Sequence, residues 1–347
     1  MAGMVWKING HDWAVDMLRE HIRSGSMRHA YGFAGPQGIG KRTLALRFAQ
    51  AVNCPNHTPD GDPCGTCRTC RQIEAMAQAD LHVVQSAFPG DSLKVDQVRQ
   101  LTHDLSLSSY ESRYRVALLL RFQEATPGAQ NALLKTLEEP NPNVLILLTT
   151  DDPDRLLPTV ISRCEWLRLR PMAVNDLSKT LGALHQVPAE QANLIARASG
   201  GRLGAALRLA REEGGLEERR HWLETCVALL DDDRSGRLVF SWKLAGPRKR
   251  DRQDIKNDLW AAFAQWQSFW RDVMLTSSGS PTLITNIDFQ DVIADTAKQV
   301  SPNAAAGYIR SLERGLARLQ HANLWLMLDA LLLAWPHIPL ESSTSRK

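Results

Sequence analysis

Two textures divide the 347-residue chain. Up to about residue 170, short apolar runs alternate with segments that are apolar at every third or fourth position. Residues 30–34, 116–120 and 144–148 are runs of the kind found in strands buried on both faces, and 81–84 and 165–169 are shorter strand candidates. Between them lie helical periods. Ala14, Val15, Leu18 and Ile22 share one face, with Gly25 as a stop, and Leu44, Ala45, Phe48 and Ala49 share another. A helix is expected over about 94–105. Another carries Ala132, Leu133 and Leu137 behind a Thr126-Pro127 start and closes at Pro140. Strands alternating with helices predict a parallel sheet covered by helices on both faces.

After Pro171 only helices are predicted. Residues 176–183, 189–198 and 203–210 form a three-helix unit, and the acidic, glycine-containing stretch 212–215 reads as a linker. Farther on, Leu259, Phe263, Trp266, Trp270 and Val273 make one apolar stripe, and Ile309, Leu312, Leu316 and Leu319 make a second. These are core-forming faces. Residues 247–252 form a basic loop, either a solvated connection or a contact to DNA or a partner.

The totals narrow the class. A chain of 347 residues with 44% hydrophobic and 23% charged positions predicts a soluble protein of two or three domains. A net charge of +3 is too small to argue for nucleic acid. The start of the chain, with Lys7, His11 and Asp12, is not expected to be a signal peptide. The longest apolar run, 324–335, is interrupted by Asp329 and is too short for a bilayer. A cytoplasmic protein is expected, with cysteines serving as thiols or metal ligands.

Two motifs carry chemistry. Gly35-Pro36-Gln37-Gly38-Ile39-Gly40-Lys41, between a strand and a helix, is the skeleton of a P-loop, whose backbone N–H groups and lysine meet phosphate. The following position should hold Ser or Thr for Mg²⁺, but it is Arg42. Thr43 comes one place later, about 100° round the helix. Gly35, Gly38, Gly40, Lys41 and Thr43 are therefore candidate residues of a degenerate site, able to hold ATP or ADP without hydrolysing it. The second motif is Cys54 followed by Cys64, Cys67 and Cys70, two overlapping C-x₂-C pairs and a fourth thiol upstream. That pattern suits tetrahedral Zn²⁺ and leaves no open coordination position, so a structural metal is expected. Cys164 and Cys226 read as buried thiols.

With these pieces placed, the sequence resembles the AAA+ clamp-loader subunits of bacterial DNA polymerase III. The resemblance rests on residues 29–41, the cysteine set, Asn131-Ala132-Leu133-Leu134-Lys135-Thr136-Leu137-Glu138-Glu139-Pro140, and Ser162-Arg163-Cys164. It is dense over about 6–210 and thins to 285–288 and 323–333. It implies an α/β AAA+ core over 1–170 with a zinc module inserted at about 54–70. It also implies a helical lid over 171–211 and an all-α collar over 212–347 that joins a hetero-oligomeric ring. The implied partners are gamma/tau and delta subunits, the sliding clamp and primed DNA.

Motor subunits of that family carry an Asp and a Glu at places that fall here on Leu120 and Arg121, and a lid arginine at a place that falls on Gly204. With Arg42, these departures imply a subunit that does not hydrolyse ATP, with two cations, Arg42 and Arg121, where the metal would sit. Ser162 and Arg163, which present an arginine finger to a neighbour, are intact. A surface or intra-chain ion pair of Arg163 with an acid such as Asp151, Asp152 or Asp154 is the plain alternative. The competing functions are an active gamma/tau-like ATPase and a zinc-dependent DNA-binding module.

Overall fold

The computed structural model describes residues 6–88, 90–107, 110–211, 214–247 and 251–339. The chain divides into two compact units, one of residues 1–173 with 202–205, the other of 174–201 with 206–347.

The first unit is the expected α/β layer structure. In chain order it runs α1 (Asp12–Arg23), β1 (Ala30–Ala34), α2 (Lys41–Asn53), α3 (Arg68–Glu74), β2 (Leu81–Val84), α4 (Val95–Ser106), β3 (Arg115–Leu119), α5 (Pro127–Glu138), β4 (Val144–Thr150), α6 (Pro158–Ile161) and β5 (Glu165–Arg168). The five strands are parallel in the order β2-β3-β4-β1-β5. β1, β3 and β4 are buried along their whole length, which is why they read as unbroken apolar runs. Alternate residues feed opposite faces. Tyr31, Phe33, Val116, Leu118, Leu145 and Leu147 join one core, and Ala30, Ala117, Leu119, Ile146 and Leu148 join the other. Gly32 is needed in β1 because a Cβ there would lie 2.3 Å from the Trp166 ring on β5.

The expected start of α5 is present: Thr126 accepts a hydrogen bond from Ala129 N, and Pro127 is the first helical residue. The short helix α3 inside the cysteine stretch has no apolar stripe long enough to announce it.

The second unit is all helical, with α7 (Val174–His185), α8 (Ala189–Ala198), most of α9 (Leu203–Arg211), α10 (Gly215–Asp231), α11 (Arg234–Ala245), α12 (Arg252–Ser277), α13 (Gln290–Gln299), α14 (Pro302–Arg318) and α15 (Leu324–Leu333). Gly215, read as linker, already opens α10, while Glu212 and Glu213 lie outside the described residues. Residues 248–250 of the basic loop also lie outside them; Asp251 caps α12.

The long helix α12 runs through the core of this unit. Phe263, Trp266, Phe269 and Trp270 are fully buried, and the Trp335 ring stands 5.2 Å from that of Trp266 and 5.5 Å from that of Trp270. The aromatic stripe is core, as its spacing indicated. Two buried arginines fix the helix ends. Arg219 donates two hydrogen bonds to the Asp288 carboxylate at 2.7 and 2.8 Å, and one to Asn286 Oδ1. Arg237 is 2% exposed and donates to the carbonyls of Leu229, Leu230, Leu332, Trp335 and Pro336.

Candidate functional site

The glycine-rich turn leaves β1 and delivers Lys41 to the first position of α2. Gly35, Gly38 and Gly40 take φ of +148°, +80° and +111°, conformations that side chains rarely tolerate. Lys41 is 9% exposed. It donates to Gly35 O, to Pro36 O at 3.0 Å and to Asp151 Oδ1 at 2.6 Å. Burial lowers its pKa, and Asp151 offsets only part of that. An ammonium has three donors, and all three are engaged. A phosphate would have to displace one of these acceptors.

Residues 202–205 pack on the same turn. Arg202 Nη1 donates to Gln37 O at 3.2 Å, and Ala205 N to Gly38 O at 3.3 Å. A Cβ at Gly204 would stand 2.8 Å from Gly38 O, so the position that the resemblance matches to a motor's lid arginine is a close backbone approach.

The remaining site residues do not converge on a metal position. Arg42 and Thr43 are both exposed, and Leu120 is a buried apolar residue. Arg121 takes φ of +51° beyond the end of β3. Its guanidinium donates to Glu124 Oε2 at 3.0 Å, to Ser86 O at 3.1 Å and to Ser86 Oγ at 2.9 Å. The two-cation picture therefore changes: Glu124, beyond the end of β3, turns back through a 3₁₀ turn and pairs with Arg121.

The cysteine set is assembled. The sulfurs of Cys54, Cys64, Cys67 and Cys70 all lie within 4.8 Å of one another, with Cys54 and Cys67 3.9 Å apart. Four thiolates at about 2.3 Å from one zinc would be about 3.8 Å apart, so the set fits a tetrahedral ion closely. The N–H groups of Cys64, Cys67 and Cys70 point at the sulfurs of Cys54, Cys64 and Cys67, at 3.3–3.4 Å. Those of Thr66 and Cys67 pull the Cys64 thiol down to about 6, whereas burial raises Cys54 and Cys70. Together the four can hold a metal ion.

Cys226 is buried as expected; Cys164 is only half-buried, with its thiol pushed up to about 12 by burial. Arg163 follows α6. Its Nη1 donates to Thr159 O at 3.0 Å and Ser162 Oγ at 3.3 Å, and Nη2 pairs with Glu138 Oε1 at 2.8 Å. The intra-chain ion pair of the plain alternative is thus present, with Glu138 rather than Asp151, Asp152 or Asp154 as the acid.

Residues 10–173 match the family described as DNA polymerase III, delta subunit. The delta' subunit of Bacillus subtilis is 28% identical over 89% of this chain and 90% of its own length. The delta' subunit of Pseudomonas aeruginosa is 35% identical over 62% of this chain and 65% of its own. The chain is similar to the delta' subunits of DNA polymerase III. The Escherichia coli tau subunit is 32% identical over 66% of this chain, which spans only 36% of tau. Among solved structures, a gamma-subunit-related protein of Thermotoga maritima covers 91% of this chain and 97% of its own, at 17% identity and a TM-score of 0.43. Among the described residues, no helix is long and apolar enough to cross a membrane.

Three site partners escaped the sequence reading: Asp151 on Lys41, Glu138 on Arg163, and Gly204 against Gly38. Asp151 and Glu138 are acids at turns or helix ends, which sequence alone treats as solvated. Their partners lie 110 and 25 residues away in the chain.

Proposed function

We propose that this chain is a delta-prime-type subunit of the DNA polymerase III clamp loader. It does not hydrolyse ATP itself and completes the ATP site of a neighbouring motor with Arg163 as an arginine finger. The observation that carries the reading is the strand end facing the P-loop. Leu120 is apolar, and the carboxylate that turns back to this strand end, Glu124, is held by Arg121 and Ser86 rather than free to hold Mg²⁺ or orient water. Phosphoryl transfer depends mostly on positioning and metal electrostatics, and without those groups this site lacks the means. ATP or ADP binding without turnover is compatible with the loop, provided a phosphate displaces Asp151 from Lys41.

Arg163, by contrast, is partly in water, with its side chain 34% exposed. A planar, permanently charged fork suits charge that grows on a neighbour's phosphate. In this reading the partners are gamma/tau and delta subunits, the sliding clamp and primed DNA. Residues 171–211 are the lid and 212–347 the collar, Zn²⁺ is the structural metal of the four cysteines, and the setting is the bacterial cytoplasm.

A loader reconstituted with Arg163→Ala tests it. The variant is expected to assemble and to slow hydrolysis at the adjoining motor. Fingers of this kind are worth about 10³–10⁵ in rate, and several motor sites per ring would dilute the loss in total turnover. DNA-stimulated ATPase and clamp loading equal to those of the parent would sink the finger reading.

A further inference from the structure

The geometry points to Glu138 as the residue that positions Arg163, an inference that rests on the finger reading above. The guanidinium is held by acceptors from two segments. Glu138 is the last residue of α5, Thr159 lies in α6, and Ser162 is the residue after α6. The other N–H groups of Arg163 have no acceptor among the described residues, and an arginine has five donors in all. It is oriented, but not saturated.

Helix energetics do not account for Glu138. A carboxylate in the last turn faces the negative end of the helix dipole, where cations are favoured, and Glu139 follows it directly. The acid therefore sits where α5 itself gains nothing from it, and its contact is the arginine. The side chains of Arg163 and Glu138 are 34% and 50% exposed. A pair that wet biases the arginine's rotamers by no more than about fivefold and opens without stranding a buried charge.

That is the balance a finger needs. A long side chain left free would have to be ordered during the chemical step, whereas one already aimed has much of that ordering behind it. A terminal phosphate carries more charge than a carboxylate and accepts from the same fork, so it takes the guanidinium over from Glu138. Glu138 touches no reacting atom and acts only through Arg163.

The test uses the reconstituted loader carrying Glu138→Gln, Glu138→Asp, Arg163→Ala, or the pair Glu138→Gln with Arg163→Ala. Glu138→Gln is expected to lower kcat for ATP about two- to fivefold with KM unchanged, and to leave the melting temperature of the isolated chain where it was. Glu138→Asp should recover most of the loss. In the Arg163→Ala background, Glu138→Gln should cost nothing further. The inference is overturned if Arg163→Ala slows the loader while Glu138→Gln leaves kcat untouched, or if Glu138→Gln slows the Arg163→Ala loader again. Should Arg163→Ala itself change nothing, the finger reading falls and this inference falls with it.

Discussion

Single residues in this molecule show how far a charge can be displaced from the job its position suggests. Asp80 is fully buried at the start of β2, where it accepts the N–H groups of Tyr110, Glu111 and Ser112 at 2.7, 2.9 and 2.8 Å. Burial pushes its carboxyl up, but those three donors outweigh burial and hold it below the usual range. A carboxyl depressed on folding stabilises fully above the ordinary carboxylate pKa near 4, and that stabilisation is lost as pH falls through the lower folded value. Asp80→Asn is therefore expected to cost about 1–3 kcal/mol at neutral pH, with the gap to the parent narrowing below about pH 4. Urea midpoints at pH 7 and pH 3 check both; an equal gap at the two values would show that the carboxylate charge is not what holds the loop.

At the scale of elements, the cysteine stretch is a separate local structure. It packs through α3 on α2: Gln50 donates to Cys70 O at 2.7 Å, and Arg47 pairs with Glu74. The sheet takes no strand from it. If zinc is the metal of the four cysteines, as proposed, removing it with a chelator under reducing conditions is expected to raise hydrogen exchange over residues 54–74 and leave β1, β3 and β4 protected. Loss of protection in those strands would show that the metal supports the whole core. The strands themselves were legible because β1, β3 and β4 are covered on both faces, so their apolar runs carry no polar interruption. The P-loop and the cysteines were legible because their chemistry needs fixed local spacing. Asp151, Glu138 and Gly204 were not, since each acquires its role from a partner brought close by folding. Glu124, three residues from Arg121, was within reach of a local reading, but the left-handed turn that brings it back has no side-chain signature.

For the whole molecule, the proposal makes the isolated chain catalytically silent. Steady-state ATPase of the purified protein is expected to stay at background with Mg²⁺ present. Turnover abolished by Lys41→Ala would instead assign it an active motor site. A different consequence follows from Arg237 in the helical unit. Two of its acceptors, Leu229 and Leu230, precede it in the chain, but Trp335 and Pro336 come 98 and 99 residues after it. A chain synthesised from its N-terminus at about 5–20 residues per second must wait about 5–20 s between making the guanidinium and making those acceptors. Through that interval the arginine has no complete nest and must stay hydrated. The helical unit cannot close around it until residues 335 and 336 have been made.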